Sequence, residues 1–243
     1  MILDESKVLI KTENLCKSYK LGNETKEAVK DANLKIMQGE FVIIEGLSGI
    51  QKNTFFNLFG CLERPTAGKY YFDYEDVTLA KADILDSIRK NKLGYLFRDF
   101  MLISGMTAAQ NAEIPMHGLN ISYTEKKARL ENAFQSLEIE SVAGEKAGCL
   151  SDFRKQLVSL ARAIVNNPLM IIADEPSANL NSEEEQRFFE YLIRLNKEGM
   201  TIMIIKEKVG LKVLNHCRVI TFEAGRISQD KQAHALSLVR REA

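Results

Sequence analysis

Three short apolar runs, each followed at once by polar residues, restrict most strongly how this chain of 243 residues folds. The runs cover residues 41–44, 169–173 and 201–205. Short runs without polar alternation are typical of strands buried on both faces, and such strands form parallel sheets covered by helices. Ligands of open parallel sheets bind beyond the carboxyl ends of the strands. We therefore expect an α/β fold in which the segments after the runs, 46–54, 174–175 and 206–208, meet at one crevice.

The rest of the chain divides into β-rich and helical segments. Residues 6–40 and 66–79 alternate apolar and polar side chains, which favours antiparallel strands beside the main sheet, with a polar loop at 21–27. Ser151 is the expected N-cap of one helix, and Ser182 opens another whose first acidic residues suit the helix dipole. Helical patterns occupy residues 111–116, 124–137, 151–165 and 182–197, and an exposed helix is expected over the tail, 229–243.

Charge and cysteine content exclude several classes of protein. Lys plus Arg and Asp plus Glu both number 33, so the balance argues against a strongly basic nucleic-acid binder. No apolar stretch approaches the roughly 18 residues of a membrane-spanning helix. The N-terminus also lacks the long apolar run of a secretory signal. The four cysteines are scattered without metal-ligand spacing, which fits single thiols in a reducing cytoplasm.

A loop that contains glycines, then a lysine and the start of a helix, follows the first apolar run. Backbone N–H groups and a helix N-terminus in such a loop can hold a phosphate, with the lysine on the outer phosphates. In the pattern G-x-x-x-x-G-K-[ST], Gln51 stands in place of the second glycine and Asn53 in place of Ser or Thr. On its own the segment is equally well interpreted as a plain strand–helix turn. The candidate phosphate-binding residues are Gly46, Leu47, Ser48, Gly49, Ile50, Gln51, Lys52, Asn53 and Thr54.

Further segments, in the same order as in a known family, favour the phosphate-binding interpretation over a plain strand–helix turn. With this loop, the chain resembles the nucleotide-binding subunit of an ABC transporter, most closely the lipoprotein-release and macrolide-export type. The resemblance implies a P-loop NTPase fold in which a RecA-like, mostly parallel sheet carries helices on both faces, beside an antiparallel β subdomain and an α-helical subdomain. The matching segments are Ser18-Tyr19 with 28–41, residues 93–98 with Asn111, residues 150–156 with 161–163, and residues 171–181.

The resemblance also implies how the chain is divided. All of residues 1–243 would form one nucleotide-binding domain. Its core and antiparallel part would lie at about 6–95 and 160–228, its helical subdomain at about 98–158, and its C-terminal tail at 229–243.

Several site roles follow from the resemblance. Tyr19 would stack on adenine, with a packed tyrosine at a strand edge as the alternative. Lys52 would neutralise the β and γ phosphates of ATP, Asp174 would hold Mg²⁺ through water, and Glu175 would polarise the attacking water. An Asp-Glu pair directly after five apolar residues favours such roles, because unpaired buried carboxylates are costly. Asn53 offers Mg²⁺ a neutral amide oxygen in place of the usual hydroxyl.

Thr54 keeps to the family pattern, and its hydroxyl is expected to help at the metal. Three other positions depart from the pattern. Arg98 replaces the Q-loop glutamine; it would either turn away from Mg²⁺, take over part of the metal's charge, or be a solvated surface arginine. Glu207 replaces the switch histidine, and an ionised glutamate only accepts hydrogen bonds. Asn181 replaces the D-loop aspartate.

The signature segment departs most. Ser151 is retained, whereas Asp152 and Phe153 replace the two glycines whose amides bind the γ-phosphate of the opposite subunit. Asp152 would bring a like charge to that phosphate, which costs about 1 kcal/mol at ~4 Å in water. Phe153 would block close approach of the backbone, and Arg154 would offset part of the charge.

These departures predict an ATP-binding subunit of a membrane ABC transporter whose hydrolysis is impaired or absent. Its catalytic positions would be Glu175, Glu207 and Arg98. Its cofactors would be ATP and Mg²⁺, with ATP bound weakly or without hydrolysis. It would lie at the cytoplasmic face, touch the membrane only through a permease, bind no nucleic acid, and pair with itself or with an intact subunit. The alternatives are an active ATPase that powers export or release of a lipophilic or peptide substrate, and a soluble regulator that uses the fold for protein contacts only.

Overall fold

The computed structural model describes residues 7–22, 24–47, 49–207 and 217–231. Of the predicted site, Ser48 and Lys208 lie outside the described residues, as does the tail from 232 to 243. Within the described part of the chain, no helix has the length and apolar character needed to cross a membrane.

The chain alternates between strands and helices. The strands are β1 (Val8–Leu21), β2 (Glu24–Met37), β3 (Phe41–Glu45), β4 (Ala67–Phe72), β5 (Glu75–Asp76), β6 (Leu93–Leu96), β7 (Met170–Asp174), β8 (Thr201–Ile205), β9 (Arg218–Glu223) and β10 (Arg226–Lys231). The α-helices are α1 (Ile50–Phe59), α2 (Ala82–Asn91), α3 (Ala108–Glu113), α4 (Tyr123–Ser136), α5 (Asp152–Ile164) and α6 (Ser182–Lys197). Short 3₁₀ turns cover Ile114–Met116, Glu140–Val142 and Ala147–Cys149.

The three apolar runs form adjacent strands of one sheet, as predicted. This six-stranded sheet has the order β10-β9-β3-β8-β7-β6, with β3 parallel to β8 and β9, and β7 parallel to β6 and β8. Successive residues of each run face opposite sides of the sheet: Ile43 packs with the helices α3 to α6, and Ile44 packs with α1 and the second sheet. Both faces are therefore buried, which is why the runs show no polar alternation.

A four-stranded antiparallel sheet in the order β2-β1-β4-β5 lies beside α1, where the alternating segments predicted antiparallel strands. The expected loop at 21–27 is wrong, because β1 runs to Leu21 and β2 starts at Glu24. Residues 24–27 are polar because this end of the hairpin is exposed. The tail prediction is wrong for residues 229–231, which belong to β10 and pair with β9.

The helix boundaries differ from prediction where side chains cap the ends. The helix expected at 111–116 is α3 followed by a 3₁₀ turn, because Thr107 and Gln110 form a capping box and Pro115 cannot donate to a continuing α-helix. Ser151 caps α5 as expected. The helix predicted at 182–197 has these bounds and begins at Ser182, and Asn181 caps it in a capping box with Glu184.

Candidate nucleotide site

The loop between β3 and α1 has the backbone geometry of an anion site. Gly46 has a φ of 80°, and a Cβ on it would lie 2.2 Å from the carbonyl oxygen of Phe222 in β9, so only glycine fits there. Gly49 begins α1 without a side-chain cap, and the first turn contains no acidic residue. The first bond of the helix runs from the Asn53 N–H to the Gly49 carbonyl oxygen at 3.4 Å, which leaves the preceding amides directed out of the helix end. Together with the helix dipole, these amides favour a negative ligand.

Lys52, Glu175 and Glu207 meet at this helix end. The Lys52 side chain is only 11% exposed, and its Nζ lies 3.2 Å from Glu175 Oε1. The same carboxylate oxygen accepts a hydrogen bond from the Glu207 N–H at 2.7 Å. Glu175 has a φ of 44°, a conformation rare for a side chain of this size, at the turn directly after β7. The structure thus brings together the three loops that follow β3, β7 and β8.

Asp174 has an unpartnered buried oxygen. Its Oδ1 is buried without a hydrogen-bond partner among the described residues. Burial raises the pKa of the Asp174 carboxyl above its usual range, and the charges of Lys52 and Arg98 oppose that shift. A cation at Oδ1 would satisfy the oxygen, so the residue fits the role of a metal ligand. No group of three or more His, Cys, Asp or Glu in the described segments can hold a metal ion, so other oxygens would be required.

The two other candidate metal ligands on α1 differ in position. Asn53 is exposed in the first turn of the helix. Thr54 is only 1% exposed, and its hydroxyl lies 2.6 Å from the Ile50 carbonyl oxygen and 3.1 Å from the Tyr19 hydroxyl. The Thr54 hydroxyl thus makes its contacts on the buried face of α1, and its help at the metal stays a prediction. The Tyr19 hydroxyl in turn donates to Glu63 at 2.7 Å.

Arg98 is exposed, and its backbone is tied to the segment after β7. The Arg98 carbonyl oxygen accepts a hydrogen bond from Asn179 Nδ2 at 2.9 Å. Beyond it, Phe100 and Met101 both have positive φ, and the Arg162 guanidinium donates to both of their carbonyl oxygens. Arg162 thus holds this loop in a conformation that non-glycine residues rarely adopt. The Arg98 charge still lowers the pKa of Asp174 against the effect of burial.

The signature residues occupy the N-terminus of α5. Ser151 Oγ accepts from the Arg154 N–H at 3.4 Å, and Asp152 pairs with Lys155 at 3.0 Å. The Phe153 side chain is 8% exposed and packs in the core, with the Arg187 guanidinium 4.9 Å from its ring centroid. The Phe153 side chain therefore lies in the core, and its predicted effect on approach to the backbone at this helix end stays a prediction. The Asp152 charge is partly compensated on its own helix.

The cation next to Glu207 points away from the site. The Lys206 ammonium pairs with Glu185 of α6 and lies 5.4 Å from the Phe189 ring centroid. Glu185 also accepts from the Ser177 hydroxyl at 2.6 Å. Glu207 itself is exposed. Among the described residues, the loop after β8 therefore contributes an acidic side chain and a backbone N–H.

A family model described as "ABC transporter" matches residues 29–178, which is more than half of the chain. The chain belongs to the ABC transporter ATP-binding family. It is 35% identical over 229 residues to the ABC transporter ATP-binding protein MJ0796 of Methanocaldococcus jannaschii, covering 92% of this chain and 97% of the relative. It is 37% identical over 197 residues to YknY of Bacillus subtilis, covering 81% and 86%.

Structural comparison gives the same family. The dimeric structure of MJ0796 bound to ADP and Pi matches with a TM-score of 0.83 at 34% identity, over 93% of this chain and 99% of that chain. The P-loop, RecA-like α/β fold predicted from the motifs is confirmed by this match. The macrolide export ATP-binding/permease protein MacB of Paracoccus denitrificans is 34% identical over 93% of this chain, which spans 34% of that relative's length.

Sequence reasoning missed four side chains that shape this ATP-binding cassette. Asn179 and Arg162 hold the loop after β6, and Glu63 and Lys17 hold Tyr19. Arg162 lies in a matched segment, but the pattern alone does not indicate its contact with Phe100 and Met101. Its position between apolar residues of a helical segment, in 160–164, is a signal that could have identified it, because a charge on an apolar helix face needs partners.

Proposed function

We propose that this chain binds ATP at the loop between β3 and α1 and acts as the nucleotide-binding subunit of a membrane transporter. The arrangement of Lys52 against Glu175, at the uncapped start of α1, carries this proposal. The amides and Lys52 supply positive charge for the phosphates, as phosphoryl-transfer sites require. The unpartnered Asp174 Oδ1 and the exposed Asn53 amide would hold Mg²⁺, which neutralises phosphate charge when bound. Tyr19 would stack on the base.

The proposal includes impaired hydrolysis. One oxygen of Glu175 accepts hydrogen bonds from both Lys52 and the Glu207 N–H. These contacts stabilise the ionised carboxylate, which makes it a weaker base toward an attacking water. The Glu207 side chain cannot donate to a γ-phosphate when ionised, and Lys206 is turned toward α6. Within residues 206–207, the part of this loop that the structure describes, no cationic side chain is therefore directed toward the γ-phosphate position. The retained Lys52, Asp174 and Glu175 favour a second candidate, an active ATPase that powers export or release of a lipophilic or peptide substrate.

The proposed site is completed by a second subunit. The MJ0796 cassette is dimeric in the structure that this chain resembles. Ser151 and Asp152 at the start of α5 make no hydrogen bond or ion pair with residues 46–47, 49–54 or 174–175. We expect them to contact the nucleotide of a partner subunit, either a second copy or an intact cassette.

The permease partner would dock beside the loop after β6. Met101 and Ile103 in this loop are 62% and 52% exposed, so both present apolar surface to a partner. A cleft next to it is lined by Tyr95, Phe97, Pro115, Arg162 and Asn166. The Arg98 carbonyl oxygen of this loop is hydrogen-bonded to Asn179, which lies in the segment after Glu175. A permease segment bound here would therefore be linked to the nucleotide site through that hydrogen bond. Docking would hold the subunit at the cytoplasmic face of the membrane.

Calorimetric titration with ATP and a steady-state phosphate-release assay test the proposal. Lys52→Ala is expected to lower ATP affinity at least about tenfold, because a buried charge-assisted contact is lost. Lys146→Ala is the matched control, since Lys146 is exposed and remote in sequence from the loop. Equal affinity of the Lys52 variant and the wild type would contradict phosphate binding at this loop.

Turnover separates the two candidate functions. If hydrolysis is impaired, the wild type turns over near background, Glu175→Gln changes nothing, and Glu207→His raises the rate. The active-ATPase candidate predicts Mg²⁺-dependent turnover that Glu175→Gln abolishes. Robust hydrolysis by the purified wild-type chain refutes the impaired form of the proposal.

A further inference from the structure

The Tyr19 ring is held by Glu63 and Lys17, two side chains outside the phosphate loop. The Tyr19 hydroxyl donates to Glu63 Oε2 at 2.7 Å, and the Lys17 ammonium lies 2.9 Å from Glu63 Oε1. Lys17 also donates to the carbonyl oxygen of Arg64 at 2.8 Å, so the ammonium is fixed by two partners. The Lys17 and Glu63 side chains are 12% and 28% exposed, which limits competition from water for these contacts.

Lys17 occupies one face of the Tyr19 ring. The Lys17 Nζ lies 5.2 Å from the ring centroid, within the range of a cation–π contact. Since Glu63 and the Arg64 carbonyl hold the ammonium there, that face is closed to a planar ligand. A base that stacks on Tyr19 must therefore use the opposite face.

Two contacts connect Tyr19 to the helix that starts at the phosphate loop. Thr54 Oγ1 of α1 lies 3.1 Å from the Tyr19 hydroxyl. The Glu63 N–H donates to the carbonyl oxygen of Asn57 in the same helix at 3.1 Å. The ring and the N-terminus of α1 are thus held at a set separation, which the base and phosphates of a bound nucleotide must match.

We propose that Glu63 is a positioning residue that fixes the Tyr19 ring for stacking of a nucleotide base, while Lys17 directs the base to the uncovered face. This inference rests on the proposed function, because it takes the loop at α1 as the phosphate site. Burial works against the charge of Glu63, but hydrogen bonds from Lys17 and Tyr19 outweigh it and lower the pKa of the carboxyl. The acceptor of the Tyr19 hydroxyl is therefore an ionised carboxylate at neutral pH.

Calorimetry with two probes separates the base from the phosphates. The probes are ATP and inorganic tripolyphosphate, which has no base. Glu63→Leu is expected to weaken ATP binding about tenfold, because it removes one charge-assisted hydrogen bond to Tyr19. Binding of tripolyphosphate should stay unchanged. Tyr19→Phe keeps the ring but removes the hydroxyl, so we expect the same selective loss. The double variant should be no weaker than either single variant, because both changes remove one interaction.

A conservative variant tests whether the hydrogen bond itself matters. Glu63→Gln keeps an oxygen that accepts from Tyr19, so its ATP affinity should stay within about threefold of the wild type. Affinity as low as that of Glu63→Leu would overturn the positioning role of the hydroxyl contact.

The remaining outcomes distinguish this inference from the proposed function. Wild-type ATP affinity in both Glu63→Leu and Tyr19→Phe overturns the inference and leaves nucleotide binding intact. Equal losses for ATP and tripolyphosphate also overturn it, because Glu63 would then support the phosphate loop or the fold. A wild-type chain that binds neither probe refutes the proposed function, and this inference fails with it.

Discussion

Replacing Gly46 by alanine should destabilise the protein far more than the same change at Gly49. Gly46 connects β3 to the phosphate loop with a φ of 80°, and a Cβ there would lie 2.2 Å from the backbone oxygen of Phe222. Gly49 has a φ of 50°, but a Cβ at that position would have nothing within 4 Å of it. The two positions therefore share backbone strain and differ in steric contact.

The magnitudes follow from these two terms. Gly49 combines a φ of 50° with a ψ of −121°, outside the left-handed helical region, so Gly49→Ala should lose about 1–3 kcal/mol through backbone strain alone. Backbone strain of the same order applies at Gly46, where the clash is also with backbone, so β3 or β9 must move by about 1 Å, which adds about 1–3 kcal/mol. A total of about 4 kcal/mol for Gly46→Ala corresponds to a fall in Tm of about 8–16 °C for a chain of this size.

Urea denaturation of the wild type and three variants measures these differences. Gly105→Ala is the third variant, because Gly105 is exposed with open space around it and no left-handed φ. It should be neutral or slightly stabilising, since alanine reduces the entropy of the unfolded chain. Equal free energies of unfolding for Gly46→Ala and Gly49→Ala would refute the reasoning, because the close approach of Phe222 would then carry no cost.

Three further predictions concern side chains around the site. Because burial raises the pKa of Asp174, the native state holds its proton more tightly than the unfolded chain, and this contribution to stability is lost as the pH rises through the raised pKa. Asp174→Asn should therefore raise the urea midpoint at pH 7 but not at pH 3; the reverse dependence would contradict the shift. Asn179→Ala removes the hydrogen bond to the Arg98 carbonyl, so hydrogen exchange in the loop after β6 should become faster while the global free energy of unfolding falls by only about 1 kcal/mol. Phe153→Ala should cost about 3 kcal/mol in thermal or urea unfolding, because this side chain is buried, and a cost near zero would mean that it lies at the surface.

Much of the site geometry could be predicted from the three apolar runs. Strands with no polar alternation must be covered on both faces, and parallel strands bring their carboxyl ends to one edge of the sheet. Lys52, Asp174 and Glu175 therefore had to lie near one another once β3, β7 and β8 were neighbours. The glycines and lysine of the loop carried the phosphate interpretation, because a glycine-containing loop followed by a lysine at the start of a helix is a pattern of neighbouring residues.

The directions of individual side chains were decided by the tertiary structure. Phe153 and Thr54 sit in motif positions, yet their side chains turn inward because α5 and α1 bury those faces against the core. Asn179 and Glu63 act through contacts with Arg98 and Tyr19, which are distant in the sequence. Periodicity and motifs report the environment of a residue along its own element, and so they predicted the fold and which strand ends form the candidate site. Which hydroxyl, amide or charge faces that site depends on how separate elements pack, and only the folded chain contains that information.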